Sequence, residues 1–405
     1  MLQEIRIKNY LSFRDEVVLN FEATKDTTFE EHQVVNVTSK VRLLRFVLMY
    51  GANASGKSNL LNAIGFLRRF WFDKKSDIDE ETGVVPFLLD TETPNEPSEF
   101  NIKFFVGDKR YWYALVLDNK QVIKEELFVY NSVQPSLVFS RELDGVASLI
   151  KLNANLVKVS TTIVEQLNVK CLSNMSFFAA RNQVNCTLPY IDDVRDWIKN
   201  NMMPIIEPGT RMFEYAGIQM EKDADLKAYI LDFVHKADYN ITDVYTEREK
   251  ILTDNVLERL RTDFQHTVKN KRGKENYRLP NSLQSEGTKR TFGIEAAIYE
   301  AIKTDGILPI DEIESSLHPE LVEFIIEKFM KEKSRSQLIV TSHYDPLLNT
   351  VDELFRKDSV WFTEKEEDGH TTLYSLTDFK GLSKISSFQK SYRNGVFGAL
   401  PNTHD

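Results

Sequence analysis

Gly51-Ala52-Asn53-Ala54-Ser55-Gly56-Lys57-Ser58 decides how the rest of this chain is read. It follows an apolar run, Leu43 to Tyr50, that reads as a buried strand, and it opens a helical pattern with Leu60, Ile64, Leu67 and Trp71 on one face. A strand feeding a glycine turn into a helix leaves the first helical amides unpaired and aimed at one point, where the helix dipole also favours an anion. A nucleoside triphosphate fits such a site. Gly51 and Gly56 let the backbone curl around a β-phosphate, Lys57 reaches the β and γ oxygens, and the Ser58 hydroxyl is placed to bind Mg²⁺.

The chain's 405 residues exceed what one compact core usually serves and point to about two or three lobes. With 42% hydrophobic and 28% charged residues the composition is that of an ordinary folded protein. Sixty-one acids against 51 bases give a net charge of −10, which excludes coating of nucleic acid through bulk charge while leaving room for a local basic patch. Cys171 and Cys186 are too few for a disulfide framework or a cysteine-rich metal site and suit a reducing cytoplasm. The first residues lack a basic region followed by an apolar run, and no stretch reaches about 18 uninterrupted apolar residues. Neither export nor membrane insertion is expected.

Glu4 to Lys8 and Glu16 to Phe21 alternate polar and apolar positions and read as two strands ahead of the glycine loop. Phe100 to Phe105, Arg110 to Leu117 and Gln121 to Tyr130 read as successive antiparallel strands, with turns at Gly107-Asp108 and Asp118-Asn119. From Leu149 to Asp263 the apolar spacing turns helical, as in Val194, Trp197 and Ile198, or Leu226, Tyr229, Ile230 and Phe233. Leu257, Leu260 and Phe264 continue a helix into a hairpin whose turn is the basic run Lys269-Asn270-Lys271-Arg272-Gly273-Lys274. The expected organisation is a first part over 1–148, an inserted helical lobe over 149–268, and a returning part over 269–405.

Three further elements follow in order. Ser282-Leu283-Gln284-Ser285-Glu286-Gly287-Thr288-Lys289-Arg290 is a polar turn leading into a helix with Ile294, Ala297, Ile298, Ala301 and Ile302 on one face, a second potential phosphate site at a helix start. Ile307 to Ile310 is an apolar strand ending in Asp311 and Glu312. Phosphoanhydride hydrolysis needs one carboxylate to hold Mg²⁺ and another to orient or deprotonate water, and these two are the candidates. Gln337 to Thr341 is β-rich and ends in Ser342-His343, bringing an imidazole to the mouth of the next strand. An Asp-Glu pair, a lone histidine or a serine before a helix has a structural explanation when taken singly; their order behind a phosphate loop is what carries weight.

With GANASGKSN at 51–59, SLQSEGTKR at 282–290, DEIESSLHP at 311–319 and TSH at 341–343, the sequence resembles the ABC-type ATPases. Within them it is similar to the SMC, RecF-like and OLD-type branch, above all to single-chain AAA-type ATPases of bacterial phage-defence and abortive-infection systems. The resemblance covers the N-terminal and C-terminal thirds. It implies an α/β fold: an ABC-type ATPase head with a mixed or parallel sheet, flanking helices and an antiparallel β lobe, carrying the inserted helical lobe. It also implies roles. Gly51, Asn53, Ala54, Ser55, Gly56, Lys57, Ser58 and Asn59 bind ATP as Walker A, with Lys57 also catalytic. Ser285 and Gly287 belong to the signature motif. Asp311 and Ser58 hold Mg²⁺, Glu312 is the catalytic base, Ser315 to His318 form the D-loop, and His343 is the switch histidine. The signature reads Ser-Glu-Gly-Thr, unlike that of a transporter subunit, and Pro309 inside the Walker B strand departs from what a central strand tolerates.

In the family it resembles, ATP is buried between the loop of one protomer and the signature of another, which makes dimerisation depend on nucleotide. The expectation is an ATP-hydrolysing, nucleotide-gated homodimer or larger assembly in the cytoplasm, regulating a separate effector, a nuclease or toxin from a neighbouring gene, in antiphage defence. The span between Lys57 and Ser285 has no room for a long coiled coil. The alternative is a RecF-like DNA repair ATPase, for which Lys269 to Lys274, Arg68-Arg69 and Lys74-Lys75 supply phosphate contacts. Lys384 to Pro401 reads equally as a docking tail or as a segment packed on its own domain.

Overall fold

The computed structural model describes residues 1–145, 147–237, 240–252 and 256–401, leaving aside the side chains of 249–259. The chain begins with β1 (Leu2–Lys8), β2 (Val17–Asn20), α1 (Glu30–Gln33), β3 (Val34–Asn36), β4 (Arg42–Leu44), β5 (Phe46–Tyr50) and α2 (Lys57–Phe70). It continues through β6 (Ser98–Val106), β7 (Lys109–Leu117), β8 (Val122–Tyr130), β9 (Ser136–Asp144) and β10 (Ala147–Leu152). Helices α3 (Thr161–Lys170), α4 (Phe177–Arg181), α5 (Ile191–Asn201), α6 (Met212–Lys222) and α7 (Ala224–Lys236) follow. Then come β11 (Ile241–Leu252), β12 (Val256–Asn270), β13 (Gly273–Pro280), α8 (Glu286–Thr304), β14 (Ile307–Ile310), α9 (Pro319–Lys331), β15 (Gln337–Thr341), β16 (Val360–Lys365), β17 (Thr371–Ser375) and α10 (Phe388–Arg393).

These elements form two compact units, one made of 1–205, 305–311 and 335–405, the other of 206–304 and 312–334. The first unit holds two principal sheets. One is seven-stranded in the order β10-β9-β8-β7-β6-β1-β2, with every neighbouring pair antiparallel. The other is five-stranded in the order β14-β15-β5-β16-β17, parallel from β14 through β16 and antiparallel at β17. Leu60, Leu61, Ile64 and Leu67 of α2 share one apolar cluster with Val47 and Met49 of β5 and with Ile5, Ile7, Phe100 and Ile102 of the larger sheet. Burial of that stripe fixes the helix, and so fixes where its first turn points.

Two readings of the first unit change. Leu43 to Tyr50 is not one strand: Arg45 separates β4, which pairs with β3, from β5 in the parallel sheet. Arg45 is itself buried, with Nη1 donating to the His32 carbonyl at 2.9 Å, and that turn of the backbone divides the run between two sheets. Pro309 sits in β14, an edge strand of its sheet, where a missing ladder donor is tolerated.

The helical reading of 149–268 fails at its start, where 149–152 belong to β10 of the first unit, and at its end in the second unit. Residues 241–252 and 256–280 form a three-stranded antiparallel sheet, β11-β12-β13, and the stretch that holds Leu260 and Phe264 is strand, not helix. Leu260, Thr262 and Phe264 lie on one face at a spacing of two, Thr262 and Phe264 buried and Leu260 half-buried. The basic turn is where the sequence put it, with Asn270 paired to Gly273 and Gly273 at a φ of 115°. The break between units also falls at 205/206 rather than at 148/149.

A charge pair in each unit sets a testable cost. In the first, Arg141 and Glu125 are both fully buried and 3.2 Å apart. Glu125 also accepts from Tyr113 Oη and the Phe177 amide, while Arg141 donates to the Leu172, Ser173 and Met175 carbonyls, stapling the segment before α4 onto the sheet. Arg141→Ala leaves the carboxylate buried without its cation, so a loss of about 3–5 kcal/mol is expected in urea unfolding.

In the second unit, Lys328 of α9 donates to Glu295 of α8 at 3.3 Å, and burial pushes the Glu295 carboxyl up from 4.5 to about 7. Between those values the folded state keeps a proton that the unfolded chain has released, so this group's contribution to stability falls as pH rises through the window. Glu295→Gln should remove that part of the pH dependence, read from unfolding midpoints at about pH 5 and about pH 8.

Candidate functional site

In the first unit the loop 51–56 ends β5 and starts α2, and its shape is dictated by side chains from distant parts of the chain. A Cβ on Gly51 would lie 2.4 Å from Ser55 Oγ and 2.5 Å from the Thr363 carbonyl. Gly56 has a φ of 105°, and a Cβ there would lie 2.4 Å from Thr371 Oγ1. Ser55 Oγ and Thr363 Oγ1 are hydrogen-bonded at 2.6 Å, and Thr371 Oγ1 donates to the Ser55 carbonyl at 2.9 Å and is hydrogen-bonded to Ser12 Oγ at 2.8 Å. Asn59 donates to the same Ser12 Oγ at 2.8 Å. No side chain caps α2, its first turn has no acid, and Ser58 is exposed on that turn. An uncapped helix start with a positive dipole end attracts an anion.

Lys57 is buried, and its ammonium donates to the Gly51 carbonyl at 2.8 Å and the Ala52 carbonyl at 3.0 Å, with His343 Nδ1 at 3.3 Å. His343 is exposed at the end of β15. Asp311, at the end of β14, is buried and accepts from Thr341 Oγ1 at 2.5 Å. Loop, cation, imidazole and carboxylate therefore meet at the carboxyl ends of adjacent parallel strands. Gly51, Asn53, Ser55 and His343 line a cavity of about 700 Å³ together with residues of β16 and of the C-terminal segment.

The second unit holds Ser285, Gly287 and Glu312. Ser285 caps α8, accepting from the Thr288 amide at 3.0 Å. A Cβ on Gly287 would lie 2.7 Å from the Ser316 carbonyl, so the turn over 312–317 presses on the first turn of α8. Glu312 and Ser316 both sit at positive φ, 46° and 62°. Arg290 ties them in: Nη2 donates to the Glu312 carbonyl at 3.0 Å and Nη1 to the Glu207 and Pro208 carbonyls. Asp311 and Glu312 are thus bonded neighbours that belong to different units.

Ser12, Thr363, Thr371 and Arg290 escaped the sequence reading. Ser55 and Thr363 are 308 residues apart, and no local pattern marks such a contact. Thr341 could have been picked out as the residue preceding Ser342-His343 on a strand beside β14.

A family model described as "AAA domain, putative AbiEii toxin, Type IV TA system" matches residues 46–153 and 192–349. The chain belongs to this family. Its fold is α/β, with a mixed five-stranded sheet, a seven-stranded antiparallel sheet and flanking helices. Among solved structures it is similar to an SMC head domain from Thermotoga maritima, with 14% identity, a TM-score of 0.44 and coverage of 92% of this chain and 98% of that one. It is also similar to an SmcHead bound to the C-winged helix domain of ScpA, with 15% identity, a TM-score of 0.45 and coverage of 93% and 99%. No curated protein matches.

For this AAA-domain chain the residues present fit a magnesium nucleotide. Mg²⁺ keeps several waters and takes one or two protein oxygens plus phosphates, which suits a serine hydroxyl and a single strand-end aspartate better than a cage. Among the described residues no group of three or more His, Cys, Asp or Glu side chains forms such a cage. Of the other cations considered, Arg68 is half-buried and donates to the Met202 carbonyl, and Lys75 pairs with Asp73, whereas the turn over 269–274 is exposed. Among the described residues no helix is long and apolar enough to cross a membrane.

Gly51→Ala tests the packing of the loop. The new methyl meets the Thr363 backbone, which cannot rotate away, so destabilisation of about 1–3 kcal/mol is expected in thermal or urea unfolding, in the absence of any ligand.

Proposed function

We propose that this chain binds and hydrolyses ATP as a nucleotide-gated dimer, in the cytoplasm, and acts as a sensor or regulator of a separate effector in antiphage defence. The observation that carries the reading is the meeting of buried Lys57 with His343 beside an uncapped helix start. The family description, with its reference to an AbiEii toxin and a type IV TA system, supports the defence setting.

In this reading Gly51 and Asn53 to Asn59 bind the phosphates, and Lys57 exchanges the Gly51 and Ala52 carbonyls for phosphate oxygens. That exchange costs little reorganisation, because the ammonium is already desolvated and its partners are neutral carbonyls. Ser58 and Asp311 would hold Mg²⁺, which would supply charge neutralisation for the bound phosphates. Thr341 fixes the Asp311 carboxylate through its 2.5 Å hydrogen bond. Glu312 orients the attacking water and accepts its proton, and its positive φ is the kind of backbone strain that is retained where function requires it. His343 stands by the γ-phosphate. Ser285 and Gly287 of a second copy close over that phosphate, so ATP joins two chains and its hydrolysis releases them.

A second reading, DNA repair, is favoured by one observation, the exposed cations Lys269, Lys271, Arg272 and Lys274 at the tip of the β12–β13 hairpin. Duplex binding that weakens with salt and speeds hydrolysis supports it; retention of a neighbouring gene's product supports the defence role.

Glu312→Gln is expected to slow ATP hydrolysis by about 10²–10⁴-fold and to trap an ATP-dependent dimer in sedimentation velocity. Unchanged sedimentation of that variant with ATP would remove the gating step from the account.

A further inference from the structure

The segment after β17 is no loose tail. Tyr392 and Phe397 stack on Phe362 of β16, with centroids 5.8 Å and 5.6 Å away, and Tyr374 Oη donates to the Phe397 carbonyl at 2.8 Å. Tyr392 Oη donates to the Ala399 carbonyl at 2.9 Å, folding residues 399–401 back. Those residues then line the same cavity as Gly51, Asn53, Ser55 and His343.

The same segment grips the chain just beyond His343. Asp345 accepts from Arg393 in a two-pronged pair, Nε to Oδ2 at 2.5 Å and Nη2 to Oδ1 at 3.0 Å, and from Gln389 Nε2 at 3.2 Å. Asn349 donates to Gln389 Oε1 at 2.7 Å and accepts from Ser387 Oγ at 3.1 Å. Directly before the histidine, the Ser342 amide donates to the Met49 carbonyl at 3.0 Å, and directly after it Tyr50 Oη donates to the Tyr344 carbonyl at 3.3 Å. An exposed imidazole on a short loop therefore has both neighbours bonded to β5, and the next residue, Asp345, bonded to α10. Charge-assisted, two-pronged pairs fix direction as well as distance.

We propose that Arg393 and Asp345 are positioning residues for His343, so that the C-terminal segment sets the rate of ATP turnover and not the affinity for ATP. The inference rests on reading this cavity as an ATP site. Catalytic geometry tolerates little displacement, and misplacing a group by about 1 Å can cost on the order of 10²-fold in rate. Removing the anchor on Asp345 while the β5 bonds remain should displace the imidazole by less than that. The phosphate-binding amides of the glycine loop are left as they are.

Arg393→Ala and Asp345→Asn in the full-length chain are each expected to lower kcat for ATP by about tenfold with KM within about twofold of wild type, and the double variant should be no slower than either single one. Arg393→Lys should recover part of the loss, since an ammonium restores the charge without the fork. Arg393 has a largely exposed side chain, at 60%, so folding is expected to survive, and thermal unfolding of each variant checks it. Wild-type kcat in both single variants, alongside loss of turnover in Glu312→Gln, overturns the positioning role and leaves the ATP reading standing. A raised KM with intact kcat overturns it as well, because the segment would then be a binding wall. A wild-type chain that neither binds nor hydrolyses ATP overturns both.

Discussion

A lysine ammonium withdrawn from water next to a glycine loop is the constraint on which the rest of this structure depends. Lys57 has little exposed surface, and its charge is met by the Gly51 and Ala52 carbonyls. Those carbonyls face it only because the backbone curls where a Cβ at Gly51 or Gly56 would strike Thr363, Thr371 or Ser12. The hydroxyls that shape the curl come from the β1–β2 turn, β16 and β17, which flank the loop in the folded unit. Sheet order, loop shape and the position of the cation are therefore one arrangement seen at three scales, and loss of any of them frees a charge that is costly to bury unmatched.

Much of this was legible because the signals were local. The strand, glycine turn and helix around residue 51, the faces of α2 and α8, the β6–β8 meander and the basic hairpin turn all follow from spacing and turn chemistry within a few residues. The helical reading of the stretch before that hairpin went wrong for an equally local reason. Leu257, Leu260 and Phe264 fit a helix when only apolar residues are counted. The face that packs runs Leu260, Thr262, Phe264, and the polar Thr262 hid the period of two. Arg45 misled in the opposite way: a buried arginine inside an apolar run looks like a strand continuing, when its hydrogen bonds mark a change of sheet. Pro309 was a conflict only so long as β14 was imagined in the middle of its sheet.

The candidate site was legible as a set of motifs but not as an arrangement. Motif order gave Asp311 and Glu312 as a pair, yet the peptide bond between them is where one compact unit gives way to the other. Asp311 is fixed by Thr341 in the parallel sheet, whereas the carbonyl of Glu312 is held by Arg290 of α8. Which neighbour restrains which residue depends on contacts tens of residues away, and nothing in the adjacent letters encodes it.

Within the second unit the first turn of α8 and the turn over 312–317 act as one mechanical piece. Gly287 has no Cβ because the Ser316 carbonyl occupies that space, Ser285 closes the helix start onto Thr288, and Arg290 reaches from the same turn to the Glu312 carbonyl. Glu312 and Ser316 are held at positive φ, which costs of order 1–3 kcal/mol each and persists only where surrounding contacts over-determine it. A ligand drawn to the start of α8 would pull on residues that hold Glu312 in that conformation. Under the function proposed above, the phosphate of a nucleotide on a second chain is such a ligand, and the backbone conformation of Glu312 would then depend on whether that chain is engaged.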